Sequence, residues 1–268
     1  MFNTEIFEGV ALSGPSDEAS EEAIRFLGAE SAAGGDLNGD GFGDFVIAGT
    51  GPNLLTVFLG NSAGMLQPMN FDARVDLFGI AIGNSDGDLF EDVIAWDSAE
   101  SEAEIFRGDP DQLLSGVQSR YLDAFRATAA HLVDVNGDGY LDAIVGNRNG
   151  NATLYVVLGQ GDGFGATVES TGCGNAQFQL ETGDFNNDGR TDVVYSTGSN
   201  IRVAFGAGDG SFSDSGINYA AGSTVRAIHV GDLNNDGYDD LAVVNSSRFL
   251  IVHNSGGTDL VEEQSINA

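Results

Sequence analysis

The chain has 268 residues, 41 Asp and Glu against 10 Lys and Arg, and a formal charge of -31 with a mean hydropathy of -0.06. A surface this negative repels phosphate backbones and anionic lipid heads, which excludes nucleic acid and membrane surfaces as partners and favours cations. Charged residues are only 19% of the total and apolar runs recur throughout, so the expectation is a folded chain able to bury a core without disulfides.

All ten basic residues are Arg, which fits either a genomic bias or adaptation to high salt, and the lone Cys173 excludes an internal disulfide framework. No apolar stretch approaches the length of a membrane span. Residues 1 to 25 lack the basic start and apolar middle of a signal peptide, so either the chain is cytoplasmic or an export signal has been trimmed. Within this segment Glu5 to Leu12 is expected as a strand and Asp17 to Arg25 as a short helical turn.

From residue 26 the chain repeats. The pattern D-x-N-x-D-G-x-x-D occurs as Asp36-Asn38-Asp40-Asp44, Asp134-Asn136-Asp138-Asp142, Asp184-Asn186-Asp188-Asp192 and Asp232-Asn234-Asp236-Asp240. An altered copy reads Asn84-Asp86-Asp88-Asp92, with Leu89 in place of the glycine. The starts are separated by 48, 50, 50 and 48 residues. After each last Asp comes a short β-branched run, such as Phe45-Val46-Ile47 or Val193-Val194-Tyr195, and about ten residues later a second run that in three repeats closes on a glycine-rich turn. Each repeat therefore reads as strand, acidic loop, strand, turn, strand, turn, strand, with the middle strands buried on both faces. Four short strands per repeat leave no room for an ordinary helix and match a β-propeller blade.

The predicted fold is all-β, a single five-bladed propeller domain over 1–268 with repeats at about 26–75, 76–125, 126–174, 175–222 and 223–268. Because an open ring leaves an apolar face and a sheet edge bare, the strand at Glu5 to Leu12 is expected to join the last blade near Phe249 to Val261 and close it.

The acidic loops carry the chemistry. Carboxylates so close together repel one another unless a cation sits between them, and calcium takes 6 to 8 oxygens from carboxylate, amide and backbone carbonyl. Loop positions 1, 3, 5 and 9 offer side chains, and position 7 offers the carbonyls of Phe42, Phe90, Tyr140, Arg190 and Tyr238. Up to five Ca²⁺ are expected, the second loop holding its ion weakest. An EF-hand is excluded because it needs a Glu at position 12, where this chain has Ile47, Ala95, Val145, Tyr195 and Val243 in apolar strands. The ions are expected mainly to staple the fold, with direct ligand contact as the alternative.

These repeats resemble the FG-GAP and VCBS families of calcium-binding propeller blades, also found in integrin α-subunit heads. The FG-GAP likeness is clearest from Phe26-Leu27-Gly28 to Gly35-Asp36-Leu37-Asn38-Gly39-Asp40-Gly41, and the VCBS likeness from Val156-Val157-Leu158-Gly159 to Gly163-Phe164. The resemblance implies an adhesion, lectin or enzyme-attached domain.

Other motifs read as structural. The G-x-S-x-G matches at Gly60 to Gly64 and Gly83 to Gly87 fall on a repeat turn and an acidic loop, and Arg107-Gly108-Asp109 places its glycine at the repeat turn. The sequons at Asn151 and Asn245 matter only in a eukaryotic secretory setting. His131, Glu181 and His229 each lie three residues before a loop, on the strand expected to line the channel, where they could bind a transition metal, transfer protons or simply face water. The expected function is a non-enzymatic recognition or adhesion module for carbohydrate or, second, protein, with Trp96, Tyr121, Tyr140 and Tyr238 as aromatics that loops can present. The alternatives are a domain of a polysaccharide-active enzyme and a structural piece of a larger surface protein. Loops with several carboxylates fill best near millimolar calcium, so an extracellular or cell-surface location is expected.

Overall fold

The β-branched runs that follow each acidic loop become strands because their alternate side chains can be buried on two sides at once. A computed structural model describes residues 29–49, 54–64, 67–72, 77–97, 102–109, 113–121, 127–147, 153–160, 163–171 and 179–267. Among these residues there are twenty strands and no helix.

The strands form five antiparallel sheets of four, each in simple chain order. Sheet 1 contains β1 (Ala29–Gly35), β2 (Asp44–Gly49), β3 (Leu54–Leu59) and β4 (Gln67–Asp72), and sheet 2 contains β5 (Leu77–Gly83), β6 (Asp92–Asp97), β7 (Glu102–Asp109) and β8 (Leu113–Tyr121). Sheet 3 is built from β9 (Ala127–Val133), β10 (Asp142–Asn147), β11 (Thr153–Gln160) and β12 (Gly163–Thr171). Sheet 4 has β13 (Leu180–Gly183), β14 (Asp192–Ser196), β15 (Asn200–Gly206) and β16 (Phe212–Ala220), and sheet 5 has β17 (Val225–Gly231), β18 (Asp240–Asn245), β19 (Arg248–Asn254) and β20 (Leu260–Asn267).

Each sheet packs its face on the next. Val46, Ala48, Leu55 and Val57 of sheet 1 meet Leu77, Val93, Ala95 and Phe106 of sheet 2. The opposite face of sheet 2, with Ile94, Trp96 and Ile105, meets Ala143, Val145 and Tyr155 of sheet 3. Ile144, Leu154 and Val156 then pack on Val193 and Tyr195 of sheet 4, and Val194, Ile201 and Val203 pack on Leu241, Val243 and Leu250 of sheet 5. Adjacent residues of one strand thus enter different cores, as in Val93 and Ile94. The first strands β1, β5, β9, β13 and β17 touch in succession, which makes the arrangement propeller-like and sets the acidic loops in a row.

The strand expected over residues 5–12 and the helical turn over 17–25 lie outside the described residues. The strand was expected beside Phe249 to Val261, but both edges of β19 are taken, by β18 and by β20. Among the described residues sheet 5 has four strands, all from residues 225–267.

Candidate cation-binding loops

Each acidic loop joins the first two strands of its sheet, at residues 36–44, 84–92, 134–142, 184–192 and 232–240 (loops 1 to 5). Position 9 fixes the loop in place. Asp44, Asp92, Asp142, Asp192 and Asp240 are buried at 0% to 1% exposure. In loop 1, Asp44 Oδ2 accepts the Leu37 amide and Oδ1 the Gly60 amide, both at 2.9 Å. The same pair of bonds recurs from Val135 and Gly159 to Asp142, from Phe185 and Gly206 to Asp192, and from Leu233 and Asn254 to Asp240. Asp92 follows suit with Ser85 and Gly108, and also takes the Ser85 hydroxyl at 2.5 Å. One carboxylate thereby ties the start of its loop to the end of the third strand. Burial pushes these acids up, against the pull of the backbone amides, for Asp44, Asp92 and Asp142, and for Asp192 to about 6.

The glycine that ends the third strand is required by this closeness. A Cβ at Gly60, Gly108, Gly159 or Gly206 would lie 2.1 to 2.5 Å from a backbone carbonyl oxygen of the loop. This accounts for the Arg107-Gly108-Asp109 tripeptide, which is part of β7 with Gly108 buried.

Positions 1, 3 and 5 gather their oxygens at the exposed tip. In loop 3 the Asp138 amide is shared by Asp134 Oδ1 at 3.2 Å and Asn136 Oδ1 at 2.9 Å. The Gly139 amide reaches Asp134 Oδ2 and the Tyr140 amide reaches Asp138 Oδ1, both at 2.9 Å, while Asn136 Nδ2 donates to Asp138 Oδ2 at 3.0 Å. Loops 1, 4 and 5 repeat this set bond for bond. Positions 4 and 6 take positive φ in all four: Gly39 and Gly41, Gly137 and Gly139, Asn187 and Gly189, Asn235 and Gly237. The positive ends of backbone amides therefore already offset part of the repulsion that the sequence assigns wholly to a cation.

This donor set suits a hard cation, because its carboxylate and amide groups present only oxygen acceptors at the tip. The position 9 carboxylate, by accepting amides from the loop and from the end of the third strand, also serves as a strut. Among the described residues no group of three or more His, Cys, Asp or Glu side chains is drawn together in a form that could hold a metal. The tip of each intact loop offers two carboxylates and one amide oxygen.

Loop 2 differs. Leu89 is 88% exposed, and only Gly87 has positive φ. Asn84 accepts the Gly87 amide at 2.7 Å and turns its Nδ2 onto the Asp88 carbonyl. Arg107 Nη1 sits 3.3 Å from Asp86 Oδ2.

Neighbouring loops also touch. Glu91 of loop 2 accepts the Asp36 amide at 2.5 Å, and Asp239 of loop 5 accepts the Asp184 amide at 2.7 Å. A Cβ on Gly39 would lie 3.0 Å from the Phe90 ring, and one on Gly87 3.0 Å from the Tyr140 ring. In loop 5, His253 Nδ1 lies 2.9 Å from Asp240 Oδ2 and its Nε2 meets Glu263. Burial opposes the imidazolium, but the Glu263 and Asp240 hydrogen bonds outweigh it and raise the His253 pKa. Neither the position 8 acids nor His253 follows from the repeat pattern; the only signal is a charged residue where the other repeats vary.

The structure brings His131, Glu181 and His229 together on β9, β13 and β17. Glu181 sets one oxygen 3.7 Å from His131 Nε2 and the other 3.9 Å from His229 Nδ1, and Thr182 Oγ1 lies 3.1 Å from His131 Nδ1. Ala33 and Ala81 hold the equivalent places on β1 and β5. Trp96, expected as an exposed aromatic, is 5% exposed in the core between sheets 2 and 3, where Gly79 makes room for its ring. Tyr140 and Tyr238 are half-buried, and Tyr121 ends β8. Asn245 is buried with its Nδ2 on the Ala221 carbonyl at 2.6 Å, so its sequon is a turn device. Cys173 and Asn151 lie outside the described residues. Among the described residues no helix is long and apolar enough to cross a membrane.

A sequence profile described as an FG-GAP-like repeat matches residues 134–195 and 184–243, that is, loops 3 to 5 with β10 to β17 and the first part of β18. Residues 134–243 are thus similar to FG-GAP-like repeats. Among solved structures, the chain is similar to an Agrocybe aegerita lectin whose structure is described as the basis of specific recognition of non-reducing terminal N-acetylglucosamine. The TM-score is 0.61 at 21% identity over 89% of this chain, and the chain spans 66% of that lectin's length. It also aligns with a Photorhabdus luminescens Tc holotoxin pore at 17% identity and a TM-score of 0.44, over 92% of this chain and 12% of the other. Curated protein sequences give no match. The FG-GAP-like match and the lectin likeness agree on a propeller-like fold built from repeats.

Proposed function

We propose that the chain is a calcium-stabilised, five-bladed β-propeller that serves as a recognition module outside the cell, with carbohydrate as its first ligand class and protein as its second. The observation that carries the calcium reading is the identical gathering of position 1, 3 and 5 oxygens in loops 1, 3, 4 and 5. Asp36, Asn38 and Asp40, and their counterparts in the other three loops, would hold the ion with the position 7 carbonyl. When bound, calcium supplies positive charge among the acids and so favours the folded chain over the unfolded one.

Ring closure is supported by what the two ends leave bare. Phe45 of sheet 1 is 52% exposed, and in sheet 5 Val244, Phe249 and Ile266 form a laterally paired row at 43%, 37% and 57% exposure. Phe42, whose counterparts Phe90 and Tyr140 lean on a preceding loop, is itself exposed. Laying sheet 1 on sheet 5 would cover all of these. Small-angle scattering tests this, since a monomeric closed ring and an open arc differ in radius of gyration.

The carbohydrate reading draws on the likeness to a lectin, a likeness of fold. A glycan array that includes glycans ending in N-acetylglucosamine, run with calcium and with chelator, is expected to give calcium-dependent signals. Silence on the array together with failure to bind calcium in a calorimetric titration would remove the proposal. A catalytic propeller is the second reading, favoured by the His131–Glu181–His229 cluster. It predicts polysaccharide cleavage that Glu181→Gln abolishes.

A further inference from the structure

We propose that loop 2 carries its own cation, the Arg107 guanidinium, which takes the role that a metal ion takes in the other four loops and makes this loop independent of calcium. The inference rests on the calcium reading of loops 1, 3, 4 and 5. Its starting point is a mismatch between loop 2 and that reading. Position 1 is an amide rather than a carboxylate, and its nitrogen, a donor, is turned onto the Asp88 carbonyl. Position 6 is Leu89, and the bond from the position 6 amide to a position 1 oxygen, present in the other four loops, is missing among the hydrogen bonds of the described residues. A donor facing the loop repels a cation, and the turn that gathers the oxygens is lost.

The carboxylate at position 3 replaces the one missing at position 1. Asp86 and Asp88 keep two negative charges at the tip, and a side chain from the same sheet answers them. Arg107 follows Phe106, which pairs with Val93 next to the position 9 strut. The residues at the equivalent place are Leu59, Leu158, Phe205 and His253, so this chain sets a permanent cation here once. The ion pair is well shielded, with Asp86 10% and Arg107 23% exposed. Arg107 Nε and Nη2 are buried without a hydrogen-bond partner, and such donors are costly unless a nearby negative charge compensates. Arg190 of loop 4 makes a looser contact, 3.8 Å from Asp188 with its side chain 55% exposed, from the rim of a loop that keeps the full oxygen set.

Two measurements on the whole chain test this. Calcium counted by calorimetry or native mass spectrometry is expected to give four ions for the wild type, four for Asp86→Asn and three for Asp134→Asn. In chelator, thermal melts of Asp86→Asn, Arg107→Gln and the double variant are expected to show coupling of about 3 °C, because either single change leaves a buried charge unpaired. Arg107→Lys keeps the charge and is expected to retain part of that coupling. Five ions in the wild type with one lost in Asp86→Asn would overturn the proposal, and so would strictly additive melts. If no loop binds calcium the wild-type count is zero, which sinks the calcium reading of the other loops and leaves the coupling between Arg107 and Asp86 to be judged by the melts.

Discussion

Loops 2 and 3 occupy neighbouring sheets and build the same bend from different parts. Both hang on a buried position 9 aspartate that accepts one amide from the loop and one from the end of the third strand. At the tip they diverge: loop 3 turns its oxygens inward around shared amides, whereas loop 2 turns in an amide nitrogen and pairs Asp86 with Arg107. The strut is therefore the constant element of the repeat and the tip the variable one. Acid at the tip needs positive charge, and the chain meets that need in more than one way.

The sharpest way to break this comparison is chelation. Each loop filled at a hundredfold excess over its Kd contributes about 2.7 kcal/mol, so stripping four loops is expected to lower the melting temperature more than any single substitution. Calorimetry with calcium and with chelator measures it, and no difference would place all five loops on the footing of loop 2. Next is the strut. Asp142→Ala removes two charge-assisted hydrogen bonds and strands two amides, an expected loss of about 3 to 5 kcal/mol in denaturant unfolding. Asp92→Ala is expected to cost as much, and in chelator the two losses should stay equal.

Smaller effects separate the tips. Gly139 has φ 90°, so Gly139→Ala is expected to cost about 1 to 2 kcal/mol, whereas Leu89→Gly in loop 2, where φ is not positive, is expected to cost less than about 1 kcal/mol. The smallest effect is that of pH in chelator. Asp192 titrates near 6 when folded and near its ordinary value of 3.8 when unfolded, so between those values the folded chain holds the extra proton. Stability from this group falls as pH rises through that window. His253 acts in the same direction at higher pH, because its raised pKa gives stability that is present below its unfolded value of 6.5 and lost as pH climbs past the folded one. Melting is therefore expected to be a few degrees higher at pH 5 than at pH 7, and Asp192→Asn should flatten the difference.

The repeat spacing made the strands legible, because a loop every 48 to 50 residues between β-branched runs leaves one arrangement of strand and turn. The oxygen donors at positions 1, 3 and 5 were legible for the same reason. The strut role of position 9 was not legible, since its partners are backbone amides 7 and 14 to 17 residues away and backbone groups leave no mark in a side-chain pattern. Trp96 illustrates the converse, a residue that looks presentable until Gly79 on the adjoining strand proves to be shaped around its ring. The meeting of Arg107 with Asp86 depends on a contact across 21 residues that only the sheet register brings about.

Four side chains that bridge neighbouring loops reach backward: Glu91 to Asp36, Asp239 to Asp184, and the Phe90 and Tyr140 rings over the glycines before them. The row of bends consequently has a direction. Removing sheet 2 uncovers loop 1, removing sheet 3 uncovers Gly87 of loop 2 and removing sheet 5 uncovers Asp184 of loop 4, whereas removing sheet 1 takes none of these covers away.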